Sequence, residues 1–354
     1  MNRLLAGIAG LLAATAAPVR AQGGAGDYVI RDFRFETGET LPELRIHYQT
    51  LGKPKRDAAG VVRNAVIVLH GTGGTGGAFT GRGFAGELFG PGQLLDTAQY
   101  YVVLPDGIGH GRSSKPSDGL RARFPKYTYT DMVVAQHELL AKGLGVNHLR
   151  LVMGTSMGCM HAWVWGEKYP DFVDGLVPLA CAPTQIAGRN RMIRTMIMDF
   201  IQKDPGYNGG DYDMQPAGLR QAMGMLFLMT SAPKVQHRTA PTREKADSSI
   251  RTYLDANTRG KDANDVIYQF NASSTYDPSA DLEKIKAHVL AINSADDFVN
   301  PPELGVVEPL VARVKNAKFI LLPITDQTRG HGTHSAPAIW KNHLADFMKS
   351  LPQR

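Results

Sequence analysis

The run Gly154-Thr155-Ser156-Met157-Gly158 sets a serine between two glycines at the spacing of a covalent nucleophile held on a tight turn. A serine hydroxyl attacks poorly until a neighbouring base takes its proton. Where a buried strand turns sharply into a helix, the side chain projects beyond the sheet and the helix N-terminus aims positive partial charge at it. Such a turn is strained, and side chains larger than hydrogen at 154 and 158 would collide there. The flanking residues fit this picture. Leu149-Arg150-Leu151-Val152-Met153 reads as a buried strand, and a helix runs on from the serine to about Tyr169, where Pro170 stops it.

A nucleophile on a strand–turn–helix needs a base and an acid, in the chain order serine, acid, histidine. The chain has 11 histidines. His331, in Arg329-Gly330-His331-Gly332, lies between the last apolar strand and the final helix and is the preferred base, with His334 as its rival. The acid should follow the strand at 288–292. Asp296 and Asp297 both do, and Asp297 is preferred because Pro301 stands four residues after it. Its role would be to fix the imidazole tautomer and stabilise the imidazolium. Two backbone N–H groups must hold the developing oxyanion. Met157, next to the serine, is one. Thr72, in the loop His70-Gly71-Thr72-Gly73-Gly74, is the other, with Gly73 next in line. His70 reads as a structural residue beneath that loop.

The elements that must carry these groups alternate. Runs at 28–35 and 44–51 read as strands rich in β-branched and aromatic residues. Ala65–Leu69, 101–104, 149–153 and 176–179 read as strands buried on both faces. Between them, Thr130 is expected to cap a helix over 131–142 that ends at Gly143. Residues 184–278 carry little strand signal and frequent methionine, and read as a helical insertion. Strands at 288–292 and 318–322 and a helix over 337–351 close the chain. The expected fold class is α/β: a mostly parallel central sheet with helices on both faces and a helical cap insertion. The expected division is 22–183 with 279–354 as the core and 184–278 as the cap.

At 354 residues, with 43% hydrophobic and 20% charged residues, the composition is that of an ordinary globular protein. The N-terminus departs from it. Arg3, an apolar run over 4–17 and Val19-Arg20-Ala21 have the features of a secretory leader covering 1–21, which predicts a periplasmic or secreted protein. No other run approaches membrane-spanning length, so no membrane association is expected once the leader is removed. The formal charge of +6 is spread along the chain, which argues against a nucleic-acid stripe. Cys159 and Cys181 are open to two readings, one disulfide or two buried thiols. No metal or cofactor is expected. His331 and His334 lack an acidic ligand at zinc-protease spacing, and Pro105-Asp106-Gly107-Ile108-Gly109-His110-Gly111 lacks the spacing of a phosphate loop.

These residues resemble those of α/β-hydrolases, and within that fold the homoserine O-acetyltransferases. Phe124-Pro125, Thr128, Asp131-Met132-Val133, Gln136, Leu139-Leu140 and Leu144-Gly145-Val146 are similar to that family's segment before the nucleophile. Ser156-Met157-Gly158, Met160, Trp165 and Tyr169-Pro170 continue the similarity, and so do Asp204-Pro205 and Asn208-Gly209-Gly210-Asp211-Tyr212 in the insertion. The resemblance implies the α/β-hydrolase fold and acyl transfer through the serine, and it hints at a homodimer formed through the cap. Two positions depart from it. The family's carboxylate-binding arginine, six residues before the Asp-Pro, falls at Met198, and Gly332 follows His331 where the family usually has aspartate. The reading that follows is an exported serine hydrolase acting on a small-molecule ester or related acyl compound. The alternative is an O-acyltransferase passing the acyl group to a hydroxyl, and a non-catalytic binding protein ranks third.

Overall fold

The strands of the computed structural model, which describes residues 23–352, form one eight-stranded sheet. They are β1 (Ala25–Arg34), β2 (Thr40–Leu51), β3 (Ala65–Leu69), β4 (Tyr101–Pro105), β5 (Leu149–Thr155), β6 (Val173–Leu179), β7 (His288–Ser294) and β8 (Ala317–Leu322). Their order across the sheet is β1-β2-β4-β3-β5-β6-β7-β8. β2 pairs antiparallel with both β1 and β4, and every other pairing is parallel. The expected leader lies outside the described residues.

The parallel strands are apolar on both faces because helices cover both. β3 shows the division: Ala65, Ile67 and Leu69 enter one core, while Val66 and Val68 enter the other. The helices in chain order are α1 (Arg82–Leu88), α2 (Tyr129–Glu138), α3 (Met157–Lys168), α4 (Gly188–Gln202), α5 (Gly218–Thr230), α6 (Pro233–Thr239), α7 (Arg243–Thr258), α8 (Ala263–Asn271), α9 (Val307–Val311) and α10 (Pro337–Ser350). α2, α3 and α9 pack into the first core, and α1 and α10 into the second, where Phe84 meets Trp340 edge to face at 6.2 Å.

The start of α2 differs from the sequence reading. Thr128 caps it, not Thr130: the Asp131 amide donates to Thr128 Oγ1, and the Thr128 amide donates to Asp131 Oδ2 at 2.8 Å. This reciprocal pair satisfies two amides at the helix start, which a hydroxyl two residues later does not. The last turn also changes, because Leu139–Gly143 forms a π-helical turn.

Between β6 and β7 the chain builds α4 to α8 and, among the described residues, no strand. These helices enclose a third apolar core that includes Ile197, Ile201, Leu219, Met223 and Phe270. α4 is amphipathic in the usual way, with Ile193, Ile197 and Ile201 recurring every four residues on its buried face.

Near the end of α3, Glu167 has a buried Oε1 with no hydrogen-bond partner. Burial is the main cause that pushes its carboxyl up to about 8, helped by Asp281 and Asp277 and opposed by Lys284. The folded chain therefore holds this proton more tightly than the unfolded chain. The resulting stability is full below the ordinary value of 4.5 and is lost as pH rises through about 8. Glu167→Gln removes the ionisation. At about pH 9 its Tm should exceed that of the unsubstituted chain by roughly a degree or more, and at about pH 4 the two should coincide. Thermal unfolding at the two pH values, with equal Tm differences as the contrary result, decides it.

Candidate active site

Ser156 links β5 to α3 with φ 53° and ψ −107°, a conformation that L-residues rarely adopt. The flanking glycines permit it, though not by clearing space for the serine itself. A Cβ on Gly154 would lie 1.9 Å from the Gly158 carbonyl oxygen, and one on Gly158 would lie 2.1 Å from the Leu69 carbonyl oxygen. Backbone meets backbone at both positions, so no side-chain rearrangement could make room. β3, β5 and α3 are locked together at the point where the hydroxyl emerges.

The hydroxyl meets a hydrogen-bonded chain. Ser156 Oγ lies 2.8 Å from His331 Nε2, and His331 Nδ1 lies 2.9 and 3.0 Å from the two carboxylate oxygens of Asp297. With Nδ1 donating to the carboxylate, Nε2 is left as the acceptor for the serine proton. Asp297 is almost wholly buried. Burial alone would push its carboxyl up, but the His331 ring, the His331 hydrogen bond, the Val299 amide and the Asn300 side chain together outweigh burial and hold it below the usual carboxylate value.

The rivals have other duties. Asp296 Oδ1 accepts from Ser294 Oγ at 2.5 Å, and its Oδ2 accepts from the Gly330 amide at 2.9 Å, tying down the loop that presents His331. His334 is half-buried, with its ring 5.0 Å from that of His331. Burial, with a smaller push from His331, lowers its pKa to about 3, so it stays neutral beside His331. His70 donates from Nδ1 to the Gly71 carbonyl, and its Nε2 accepts from the Gly107 amide. Both nitrogens are committed, so His70 has no free site for a substrate proton. It fastens the loop that bears Thr72.

Met157 opens α3, and the amides of a first helical turn have no intrahelical partner. Among the described residues neither the Met157 nor the Thr72 amide donates to a protein group, and the Thr72 hydroxyl is also buried without a partner. Lys261, at the foot of α8, reaches across to the same loop, its Nζ donating to the Gly73 carbonyl at 3.3 Å.

Two cavities meet at Ser156. One, of about 660 Å³, is bounded by the Thr72 loop, His331, His334 and cap residues such as Phe227 and Tyr253. The other, of about 570 Å³, lies beneath the segments following β6 and β7 and is bounded by Met160, Cys181, Ile186 and Val307. Both volumes are typical of ligand pockets. Cys159 of α3 and Cys181 after β6 form a disulfide with Cα atoms 5.9 Å apart, which resolves the two readings left open by their spacing. It braces the wall of the second cavity against the helix that begins beside the serine.

Arg194 escaped the sequence reading. It lines both cavities, is only 3% exposed, and lies one helical turn before Met198 on α4. Its Nε donates to Asn190 Oδ1 at 2.9 Å and its Nη1 to Ser273 Oγ at 3.3 Å, and the guanidinium lies over the Phe270 ring. Among the described residues no carboxylate is within ion-pair distance of it. Met198 faces the cap core instead. The missing arginine at 198 is therefore no sign that the cavity lacks a cation. The signal that could have located Arg194 was an arginine set between Ile193 and Ile197 on the buried face of an amphipathic helix.

Among the described residues no group of three histidine, cysteine, aspartate or glutamate side chains is placed to hold a metal ion, and no helix is long and apolar enough to cross a membrane.

Comparison with known proteins agrees with this fold. The family model for the alpha/beta hydrolase fold matches residues 64–320. A "Probable acyltransferase" of Methanothermobacter thermautotrophicus is 31% identical over 86% of this chain and 91% of its own length. A homoserine O-acetyltransferase of Haloarcula marismortui is 31% identical over 76% of this chain and 75% of its own. The crystal structure of the acetyl esterase MekB shares the fold, with a TM-score of 0.80 at 24% identity over 92% of this chain and 97% of that one. The chain belongs to the α/β-hydrolase family, in its homoserine O-acetyltransferase-like branch. It is an enzyme of a group whose relatives and structural neighbours include acyltransferases and esterases.

Proposed function

We propose that this protein is an exported serine hydrolase that cleaves an ester or related acyl substrate through an acyl-enzyme on Ser156. The observation that carries the reading is the unbroken chain from Ser156 Oγ through His331 to the buried Asp297, opening into two ligand-sized cavities. In the first step Ser156 Oγ bonds to the acyl carbon as its proton passes to His331 Nε2. The Met157 and Thr72 amides hold the oxyanion, and the C–O bond to the leaving alcohol breaks as His331 returns the proton to that oxygen. Water then attacks the acyl carbon, giving one proton to His331, which passes it back to Ser156 as the carboxylic acid departs. The apolar N-terminal run and its small-residue cleavage site support export. So does the Cys159–Cys181 disulfide, a bond that persists in oxidising compartments.

Arg194 favours a second reading, acyl transfer to a hydroxyl acceptor that carries a carboxylate. A buried guanidinium without a carboxylate partner gains most from an anionic ligand able to accept two parallel hydrogen bonds. Incubation with an acyl thioester, with and without homoserine as competing acceptor, separates the two. The hydrolase reading expects free acid as the main product in both mixtures. Ester formation that displaces hydrolysis as homoserine rises would assign the protein to transfer. If a fluorophosphonate failed to modify Ser156 and no acyl compound were consumed, both readings would fall.

A further inference from the structure

We infer that the cavity beneath the segments after β6 and β7 is an acyl-chain site, and that the protein prefers esters of aliphatic acids substantially longer than acetate. The inference rests on the hydrolase reading above and adds the substrate class.

The leaving alcohol must receive a proton from His331 Nε2, so its oxygen has to sit against that ring. His331 borders the first cavity and not the second. Ser156 borders both. An ester bound at the serine therefore directs its alcohol arm into the first cavity, and its acyl arm takes the remaining direction, into the second.

The second cavity suits a hydrocarbon chain. Met160, Cys181, Ala182, Ile186 and Val307 form the apolar part of its walls. Cys181 offers no thiol, being held in the disulfide with Cys159. Of the polar residues on this side, Asn300 donates to the Ala180 carbonyl and to Asp297, Arg189 donates to the Phe298 carbonyl, and Arg194, which borders both cavities, donates to Asn190 and Ser273 with its guanidinium over the Phe270 ring. Further out, the lining reaches Phe298, Leu304 and Val306, which are 37%, 62% and 39% exposed. Exposed large apolar residues are ordinary when scattered singly. Here three of them fall within nine residues at the rim of a cavity that leads to the nucleophile. An acetyl group would leave most of this cavity of about 570 Å³ without a ligand, whereas a medium-length chain would fill it along its apolar walls and its tail would emerge among these three side chains.

The test is a matrix of esters. p-Nitrophenyl acetate, butyrate, hexanoate and octanoate vary the acyl arm, and ethyl, butyl and octyl acetates vary the alcohol arm. Each methylene buried in an apolar site should raise kcat/KM about two- to fourfold, so the acyl series should climb through octanoate. Ala182→Phe fills the second cavity and should lower the octanoate-to-acetate ratio of kcat/KM by at least about tenfold, leaving the trend in the alcohol series in place. Val307→Trp, at a different wall, should lower the same ratio and stands in if Ala182→Phe does not fold, as judged by circular dichroism. A flat acyl series in a protein that hydrolyses the acetate overturns the acyl-chain site while the hydrolase reading stands. Loss of the alcohol trend in Ala182→Phe, with the acyl trend intact, also overturns it, because the cavity would then hold the other arm. Failure to hydrolyse any ester, of either series, removes the hydrolase reading itself.

Discussion

Replacing Ser156 with alanine should lower kcat by about 10⁴- to 10⁶-fold on any ester the protein hydrolyses, with little change in Tm. The size of the loss follows from the division of labour in the site. The base and the acid have no nucleophile to activate without Oγ, so removing one atom idles three side chains. On the proposed mechanism the remaining rate would come from the Met157 and Thr72 amides and from binding in the two cavities, which an alanine leaves in place. The fold should survive because Oγ makes one side-chain hydrogen bond, to His331, and the turn is held by backbone packing of Gly154 and Gly158. Steady-state kinetics with thermal unfolding on the same preparation checks it. A Ser156→Ala protein that keeps more than about a hundredth of the parent rate would show that another group attacks the substrate.

Asp297→Asn carries the next largest effect, a fall in kcat of about 10⁴-fold. The asparagine side chain fits the space, but its amide NH₂ can donate to His331 Nδ1. The ring then places its proton on Nε2, facing the serine with a donor where an acceptor is required. Binding is expected to change little, since Asp297 is buried behind the ring and borders neither large cavity. KM should therefore stay within a few-fold as kcat collapses. The same carboxylate bears on acid stability. Its pKa is lowered in the folded chain, so the stability it contributes is present above the ordinary value of 3.8 and is lost as pH falls through the lower folded value. Asp297→Asn should consequently flatten part of the loss of Tm below about pH 4. Unchanged kcat in this variant would leave the tautomer argument without support.

The sequence was most informative where the chemistry is local. Glycine, serine and glycine within five residues, a buried strand before and a helix after, were enough to locate the turn at Ser156, because the constraint is satisfied inside one short segment. The partner residues were harder. Asp296 and Asp297 are adjacent, share a loop and have the same chemistry, and only the backbone decides that one reaches the Gly330 amide while the other reaches His331 Nδ1. Arg194 was hidden by register. A resemblance counted back from Asp204-Pro205 arrives at Met198, and the guanidinium at the cavity lies one turn earlier on the same helix. The two cavities had no sequence signature, because their walls come from loops separated by more than a hundred residues and exist only once the cap lies over the sheet. The exchange of Thr130 for Thr128 at the start of α2 is of the same kind, with two similar residues separated by a geometric choice of one half-turn.

The cap encloses an apolar core of its own, and among the described residues Val299 is the one member of that core supplied from outside 193–270. Val299 stands two residues beyond Asp297 and donates its amide to it. The arrangement bears on how this scaffold can diverge. Substitutions in the cap core on α4 and α5 pack mainly against one another, so their effects should largely add to those inside the sheet, whereas α8 is tied to the sheet side, with Tyr268 in the first core and Gln269 donating to the Gly109 carbonyl. Val299, like α8, is where that independence ends. It is a position at which drift in substrate choice would be felt as loss of catalytic power, and one to hold fixed, with α8, while α4 and α5 are varied.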